Sequence, residues 1–252
     1  MIYLTAGVTS NMFELIKARL RHGYQAIPNP LQAQINPAFP GCPFLAADAD
    51  LPALAALCPT GAFSEKGLDL GKCTFCGACQ RKYPEMIDFK PDFRLASDSR
   101  EALYIAPGTQ YQARFASPNT KLFQRSFALR NVSAGGCNAC ELELGASTNV
   151  NFDMGRYGIE IVASPRHADA LILTGPISRS MAEALAETWK AIPAPKCLIL
   201  CGCCAISGGV FAPSVQLDRS FLAHWPASIY IPGCPTHPLS IVHAIHSFMG
   251  AK

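Results

Sequence analysis

The chain has 252 residues, 50% of them hydrophobic and only 15% charged, with a formal net charge of +3 at neutral pH. This composition excludes a disordered chain, and the absence of any Lys/Arg-rich run excludes a nucleic-acid or polybasic membrane footprint. No apolar stretch reaches the roughly 18 to 20 residues that a membrane span requires. The first twenty residues carry Glu14, Lys17 and Arg19 where an export signal would be apolar, so the chain is expected where thiols stay reduced. Its 12 cysteines then read as metal ligands, not as a disulfide framework.

In chain order, residues 11–22 predict a short helix capped by Ser10 or Asn11, with Met12, Leu15, Ile16 and Leu20 on one face. Pro28, Pro30, Pro37 and Pro40 then forbid regular helix. A cysteine-rich segment follows, and residues 84–124, which lack cysteine but hold Pro91, Pro107, Gly108 and Pro118, read as a linker with some extended structure. Beyond it, apolar runs at 159–163, 170–174, 198–200 and 229–231 alternate with helix-like segments at 180–191 and 238–249. That alternation predicts a parallel sheet buried on both faces. The expected division is residues 1–110, with a metal-binding module at about 40–90, and residues 111–252, an α/β domain. Ligands in such sheets bind in the loops after the strands, and Cys204 and Cys234 both follow strand candidates.

The first cysteine group is Cys73-Thr-Phe-Cys76-Gly-Ala-Cys79, with Cys58-Pro59 upstream. Bacterial ferredoxins use this C-x2-C-x2-C spacing with a fourth Cys-Pro that serves the other cluster of the pair. A two-cluster version would need cysteine at 48, 51, 54 and 83 for one site, where this chain has Asp48, Leu51, Leu54 and Tyr83. The other site would need 58, 73, 76 and 79, and all four are present. The losses sort by cluster, so this region resembles a small ferredoxin-like α+β domain that has kept one [4Fe–4S] site. Zinc is the alternative, although zinc sites favour C-x2-C pairs set well apart. Cys42 has no place in the pattern and reads as a small buried hydrophobe.

The second group opens with Gly136-Cys137-Asn138-Ala139-Cys140-Glu141-Leu142-Glu143. It continues through Ser164-Pro165-Arg166-His167, Gly202-Cys203-Cys204-Ala205-Ile206-Ser207-Gly208-Gly209 and Pro232-Gly233-Cys234-Pro235. In this order and at these distances the motifs resemble the small electron-transfer subunit of membrane-bound group 4 [NiFe]-hydrogenases, as in formate hydrogenlyase. That family is homologous to the complex I 20 kDa subunit, and the resemblance covers roughly residues 127–248.

The resemblance implies a flavodoxin-like fold and a second [4Fe–4S] cluster on Cys137, Cys140, Cys204 and Cys234. Cys204 is favoured over Cys203 and Cys201 because the family's third ligand stands two residues after a glycine and four before a Gly-Gly pair. Two adjacent cysteines at the first position are typical of complex I members; the C-x2-C here favours the hydrogenase branch. Thr236-His237 departs from the family's Pro-Arg, which bears on the interface made by that loop. The resemblance also implies interface or proton-transfer roles for Glu141 and Glu143, and a tuning role for Arg166 and His167. A helix-start carboxylate and a structural histidine are the plainer readings of these residues. Cys197, Cys201 and Cys203 read as packed thiols, and His243 with His246, lacking a third ligand nearby, as packed or solvated histidines.

The function implied is electron transfer without substrate chemistry of the chain's own. Two [4Fe–4S] clusters would relay electrons to or from a hydrogenase-like large subunit, within a complex holding other iron–sulfur and membrane subunits. The chain would sit peripherally on the cytoplasmic side of the inner membrane. An equivalent subunit of a complex I-like quinone oxidoreductase, beside a 49 kDa-like large subunit, is the principal alternative. A zinc-stabilised scaffold is the third.

Overall fold

The computed structural model describes residues 12–24, 26–30, 32–115 and 123–250. Its centre is a five-stranded parallel sheet of β6 (Phe127–Ser133), β7 (Ile159–Ile161), β8 (Ala170–Thr174), β9 (Cys197–Cys201) and β10 (Ile229–Ile231). The spatial order is β7-β6-β8-β9-β10. Counted within the sheet this is 2-1-3-4-5, the flavodoxin-like order, whose switch point lies between the first and third strands.

Every residue of β8 and β9 is buried. Their side chains alternate between two cores, as the twofold period of a strand demands. Leu171, Leu173, Leu198 and Leu200 pack on one face with Leu185 and Trp189 of α5 (Arg179–Ala191). Ile172, Ile199 and Ile231 pack on the other with Ile241, Val242 and Ile245 of α8 (Pro238–Met249). Pro238 opens α8 in its first turn, the His237 ring accepts from the Leu239 amide at 3.1 Å, and Gly250 in the left-handed region ends it.

The preceding segment contributes β1 (Cys42–Leu45), α2 (Leu51–Leu57), the short pair β2 (Phe63–Ser64) and β3 (Gly67–Asp69), α3 (Ala78–Lys82) and β4 (Ile87–Lys90). β1 and β4 pair antiparallel, with α2 and α3 in the connections. Asp50 caps α2 by accepting from the Ala53 amide at 3.0 Å. Leu54 is fully buried, and Leu51 and Tyr83 pack partly buried against the same core, so three of the four positions lacking an expected cysteine are occupied by core packing. That core is continuous with the sheet, running from Leu45, Leu68 and Leu70 to Leu200, Ala205 and Ile206.

Residues 84–115, expected as part of a linker with some extended structure, are packed into the fold. They supply β4 and β5 (Tyr104–Ile105), which pairs with β3, and bury Phe93, Leu95, Leu103 and Ile105. Ser97 and Tyr230 exchange both backbone hydrogen bonds, at 3.0 and 2.8 Å, which lays this segment along the outer edge of β10. The Ser240 hydroxyl donates to the Phe93 carbonyl at 2.8 Å. Alternating apolar residues, interrupted by the turn-forming prolines, make the segment a strap. The predicted first helix is present as α1 (Met12–His22), with Phe13, Leu15, Ile16 and Leu20 exposed; its expected caps Ser10 and Asn11 lie outside the described residues.

Candidate metal centres

Cys58, Cys73, Cys76 and Cys79 line a single small cavity, walled by Pro59, Phe63 and Phe89. Cys58 closes α2, and Cys73 to Cys79 form the loop that enters α3 through Gly77 in the left-handed region. Amides point at the sulfurs: Ala62 N–H donates to Cys58 Sγ and Phe75 N–H to Cys73 Sγ, each at 3.3 Å. Burial pushes the Cys73 thiol up to about 12 and raises Cys79 as well. An isolated thiolate is disfavoured there, so a cationic group shared among the sulfurs is the chemistry that would let them ionise. Below this loop Asp69, 2% exposed, accepts from Arg100 at 2.8 and 2.5 Å and from the Gly71 amide at 2.9 Å.

The second group gathers at the carboxyl ends of the sheet strands. Cys137 and Cys140 follow β6 at the switch point and enter α4 (Ala139–Ala146), which Asn138 caps in the left-handed region. Cys203 and Cys204 lie in α6 (Cys203–Ser207), directly after β9, and Cys234 follows β10. Glycine is required where the backbone closes on the sulfurs. A Cβ on Gly202 (φ +93°) would stand 2.6 Å from Cys140 Sγ, and one on Gly209 (φ +55°) 2.9 Å from Cys204 Sγ.

Burial raises Cys140 to about 11, opposed by hydrogen bonds from Thr236. Cys203 sits between Cys204 and Cys234 and shares its S–H with both. This raises Cys203, lowers Cys204, and draws Cys234 down to about 7. Cys137 is exposed on the loop before α4. Among the described residues no three or more His, Cys, Asp or Glu side chains converge closely enough for a single metal ion. The amide donors, apolar walls and sets of thiols suit a larger thiolate-ligated group.

One residue from each cysteine group's loops reaches a common cavity. Phe75, from the first cysteine loop, and Cys234, from the second group, line the same cavity of about 290 Å³, together with Phe39, Leu95, Pro235 and His237. No spacing in the sequence signals this meeting, because it joins loops about 160 residues apart.

The remaining candidates separate. Glu141 is anchored, accepting from the Ser133 hydroxyl at 2.5 Å and the Thr174 hydroxyl at 2.8 Å beside the cysteine loops. Glu143 lines the shared cavity and burial raises its carboxyl. Arg166 and His167 are exposed in a single 3-10 turn (Pro165–His167) that precedes β8. A parallel strand carries its entry and exit at opposite ends, so they lie at the far end of the sheet from the cysteine loops and do not reach the second group. Cys197 and Cys201 are buried at the two ends of β9, and Cys42 lies half-buried beside Lys90 and Asp92, with burial pushing its thiol to about 12. His243 and His246 are buried among Phe93, Phe115 and Tyr157.

One residue escaped the sequence reading. Arg219 stands half-buried beneath α6 and donates to the carbonyls of Pro176, Cys204, Ala205 and Ile206 at 2.7 to 3.1 Å. A lone arginine in a loop carries no motif that would have flagged it.

Comparison with known proteins extends this picture. The family described as NADH ubiquinone oxidoreductase, 20 Kd subunit, matches residues 137–248. Formate hydrogenlyase subunit 7 of Escherichia coli is 38% identical over 130 residues, covering 52% of this chain and 51% of that protein. The probable membrane-bound hydrogenase subunit mbhJ of Pyrococcus furiosus is 36% identical over 129 residues, covering 50% of this chain and 75% of the relative. NADH-quinone oxidoreductase subunit 6 of Thermus thermophilus is 37% identical over 111 residues, covering 44% and 61%. The chain thus spans about half the length of the formate hydrogenlyase subunit it matches. With the strand order, the cysteine loops at the carboxyl ends and these matches in agreement, the chain belongs to the NADH–ubiquinone oxidoreductase 20 kDa subunit family.

Proposed function

We propose that this chain is a non-catalytic electron-relay subunit that holds two [4Fe–4S] clusters, one on each group of cysteines. The observation that carries the reading is the shared cavity. The first cysteine loop and the second group approach one another through Phe75 and Cys234, an arrangement suited to passing electrons inside one chain. When bound, such clusters supply one-electron exchange and no substrate chemistry.

The chain's own residues do the rest. Cys58, Cys73, Cys76 and Cys79 would hold the first cluster in a ferredoxin-like module, with Leu51, Leu54 and Tyr83 in place of a twin. Cys137, Cys140, Cys204 and Cys234 would hold the second. The spacing from Gly202 and to the Gly208-Gly209 pair favours Cys204 over Cys203 as the third ligand. Apolar walls exclude water, and amides aimed at sulfur stabilise the more negative, reduced state of a cluster against the penalty of burial.

The partner at the second site is a large subunit, with Glu143, Leu142 and the exposed Val210, next to Gly209, available to meet it. The relatives include subunits of a formate hydrogenlyase, a membrane-bound hydrogenase and an NADH-quinone oxidoreductase. The C-x2-C at Cys137 favours the hydrogenase-like partner, and a quinone-type complex is the second reading. Among the described residues no helix is long and apolar enough to cross a membrane, so attachment to a membrane complex would run through other subunits.

The test is anaerobic purification of the intact complex with iron and acid-labile sulfide analysis. About eight of each per chain are expected from two cubane clusters. Zinc in place of iron would overturn the relay. A large subunit without the two C-x2-C pairs of a nickel–iron site would move the proposal to the quinone branch.

A further inference from the structure

Arg219 is unusual among the cations of this chain. Both terminal nitrogens of its guanidinium are committed to backbone: Nη1 donates to Pro176 O at 3.0 Å and Cys204 O at 3.1 Å, and Nη2 donates to Ala205 O at 2.7 Å and Ile206 O at 3.0 Å. All four acceptors are neutral. The neighbouring Asp218 carboxylate is directed elsewhere, accepting from the Ser220 amide at 3.0 Å. Among the described residues the ion pairs are Lys17–Glu14, Arg94–Asp92, Arg100–Asp69 and Lys190–Glu187, and Arg219 belongs to none of them.

The position of this charge is specific. Three of the four carbonyls belong to consecutive residues of α6, beginning with Cys204 itself, and the fourth follows β8 in the adjacent loop. Cys204 O also accepts from the Gly208 amide at 2.9 Å, while the Ala205 and Ile206 carbonyls lie at the end of a helix five residues long, where the helix itself supplies no partners. The planar fork of arginine binds such a group of acceptors; the single ammonium of lysine cannot span it in the same way. Glu141, the carboxylate near the same thiols, is held by Ser133 and Thr174. Cys204 therefore feels both a fixed anion and a fixed cation, and the cation is the one bonded to its own backbone.

We propose that Arg219 is a positioning residue for the second site: it fixes the Cys204 loop and acts as an uncompensated positive charge that raises the reduction potential of the cluster held there. The proposal rests on the two-cluster reading above. Reduction adds one electron to a bound [4Fe–4S] cluster, and a fixed cation next to a ligand stabilises the more negative reduced form. The first site, whose loop is braced by the neutralised Asp69–Arg100 pair, has no contact with Arg219 and serves as an internal reference.

The experiment uses the full chain in its complex, prepared anaerobically as wild type, Arg219→Gln and Arg219→Lys. Iron and sulfide are counted, and both clusters are followed by EPR-monitored redox titration. Arg219→Gln is expected to keep its iron and shift the second cluster to a more negative midpoint, with the first unchanged. Arg219→Lys, which retains the charge, is expected to stay nearer the wild type. A fully loaded Gln variant with both midpoints unmoved overturns the proposal and leaves the two-cluster reading standing. If the Gln variant fails to load its second site, the Lys variant decides. Loading with a midpoint near wild type supports the charge; failure to load, or a displaced midpoint, shows that only the capping geometry matters and overturns it. A wild-type chain without iron at the second site removes the two-cluster reading itself, and the proposal with it.

Discussion

The two cysteine groups reach similar local geometry from unrelated surroundings. In both, a C-x2-C pair straddles the start of a helix: Cys76-Gly77-Ala78-Cys79 enters α3 and Cys137-Asn138-Ala139-Cys140 enters α4, each through a left-handed residue at the cap. Asparagine tolerates that region better than most non-glycine residues, so the same turn is made with and without glycine. The difference lies in how the remaining cysteines arrive. The first site is assembled within about twenty residues by short elements around one buried ion pair. The second takes its thiols from the exits of three parallel strands and depends on the whole sheet for its geometry. A local site is legible as spacing, whereas a site built on topology is legible only if the strands are known.

This contrast can be broken experimentally, most sharply by removing ligands. Cys73→Ser is expected to abolish the first cluster and leave about four iron per chain, and Cys204→Ser to abolish the second, each read by iron and sulfide analysis with EPR. Loss of both signals in either variant would show that the sites form only together. Next in size is the brace of the first site. Asp69→Asn leaves the partly exposed Arg100 without its carboxylate and should cost about 1–3 kcal/mol in denaturant unfolding.

A pH series reports on the sheet side. Burial lowers His243 to about 4, with the Arg94 charge adding to it. The unfolded chain binds the proton first, so the stability that His243 contributes is complete above about pH 6.5 and declines as pH falls from there toward 4. The expected loss across that window is up to about 3 kcal/mol, and His243→Phe should flatten the pH profile. The smallest effect is expected of Gly202→Ala, where an added methyl meets Cys140 Sγ and the backbone is strained. About 1–3 kcal/mol of destabilisation should appear, with weakened loading of the second site and an intact first site.

Much of the sheet domain could be read in advance. The strands at 170–174 and 229–231 and the helix at 238–249 have the expected limits, because uninterrupted apolar runs bounded by Gly and Pro admit little else. β9 is longer than expected, since Cys197 and Cys201 pack as small hydrophobes and extend it at both ends. β6 was invisible because Arg130 and Asn131 interrupt its apolar pattern. Asn131 earns its place by donating from its side chain to Ile172 O at 3.1 Å and Thr174 Oγ1 at 3.3 Å. The motif containing Arg166 and His167 misled for a topological reason, since motif membership says nothing about which end of a strand a residue occupies. The meeting of Phe75 with Cys234 and the four carbonyls around Arg219 are long-range contacts between loops, for which periodicity holds no signal.

The pairing of Ser97 with Tyr230 closes one edge of the central sheet. β10 is the rim of the sheet and only three residues long; its central residue alone turns its N–H and C=O outward, and both are taken by Ser97. An open rim is a template for strand addition by another molecule. The segment before the sheet thus acts as an intramolecular edge guard, and a fragment cut after it, such as residues 111–252, should show aggregation that the full chain does not.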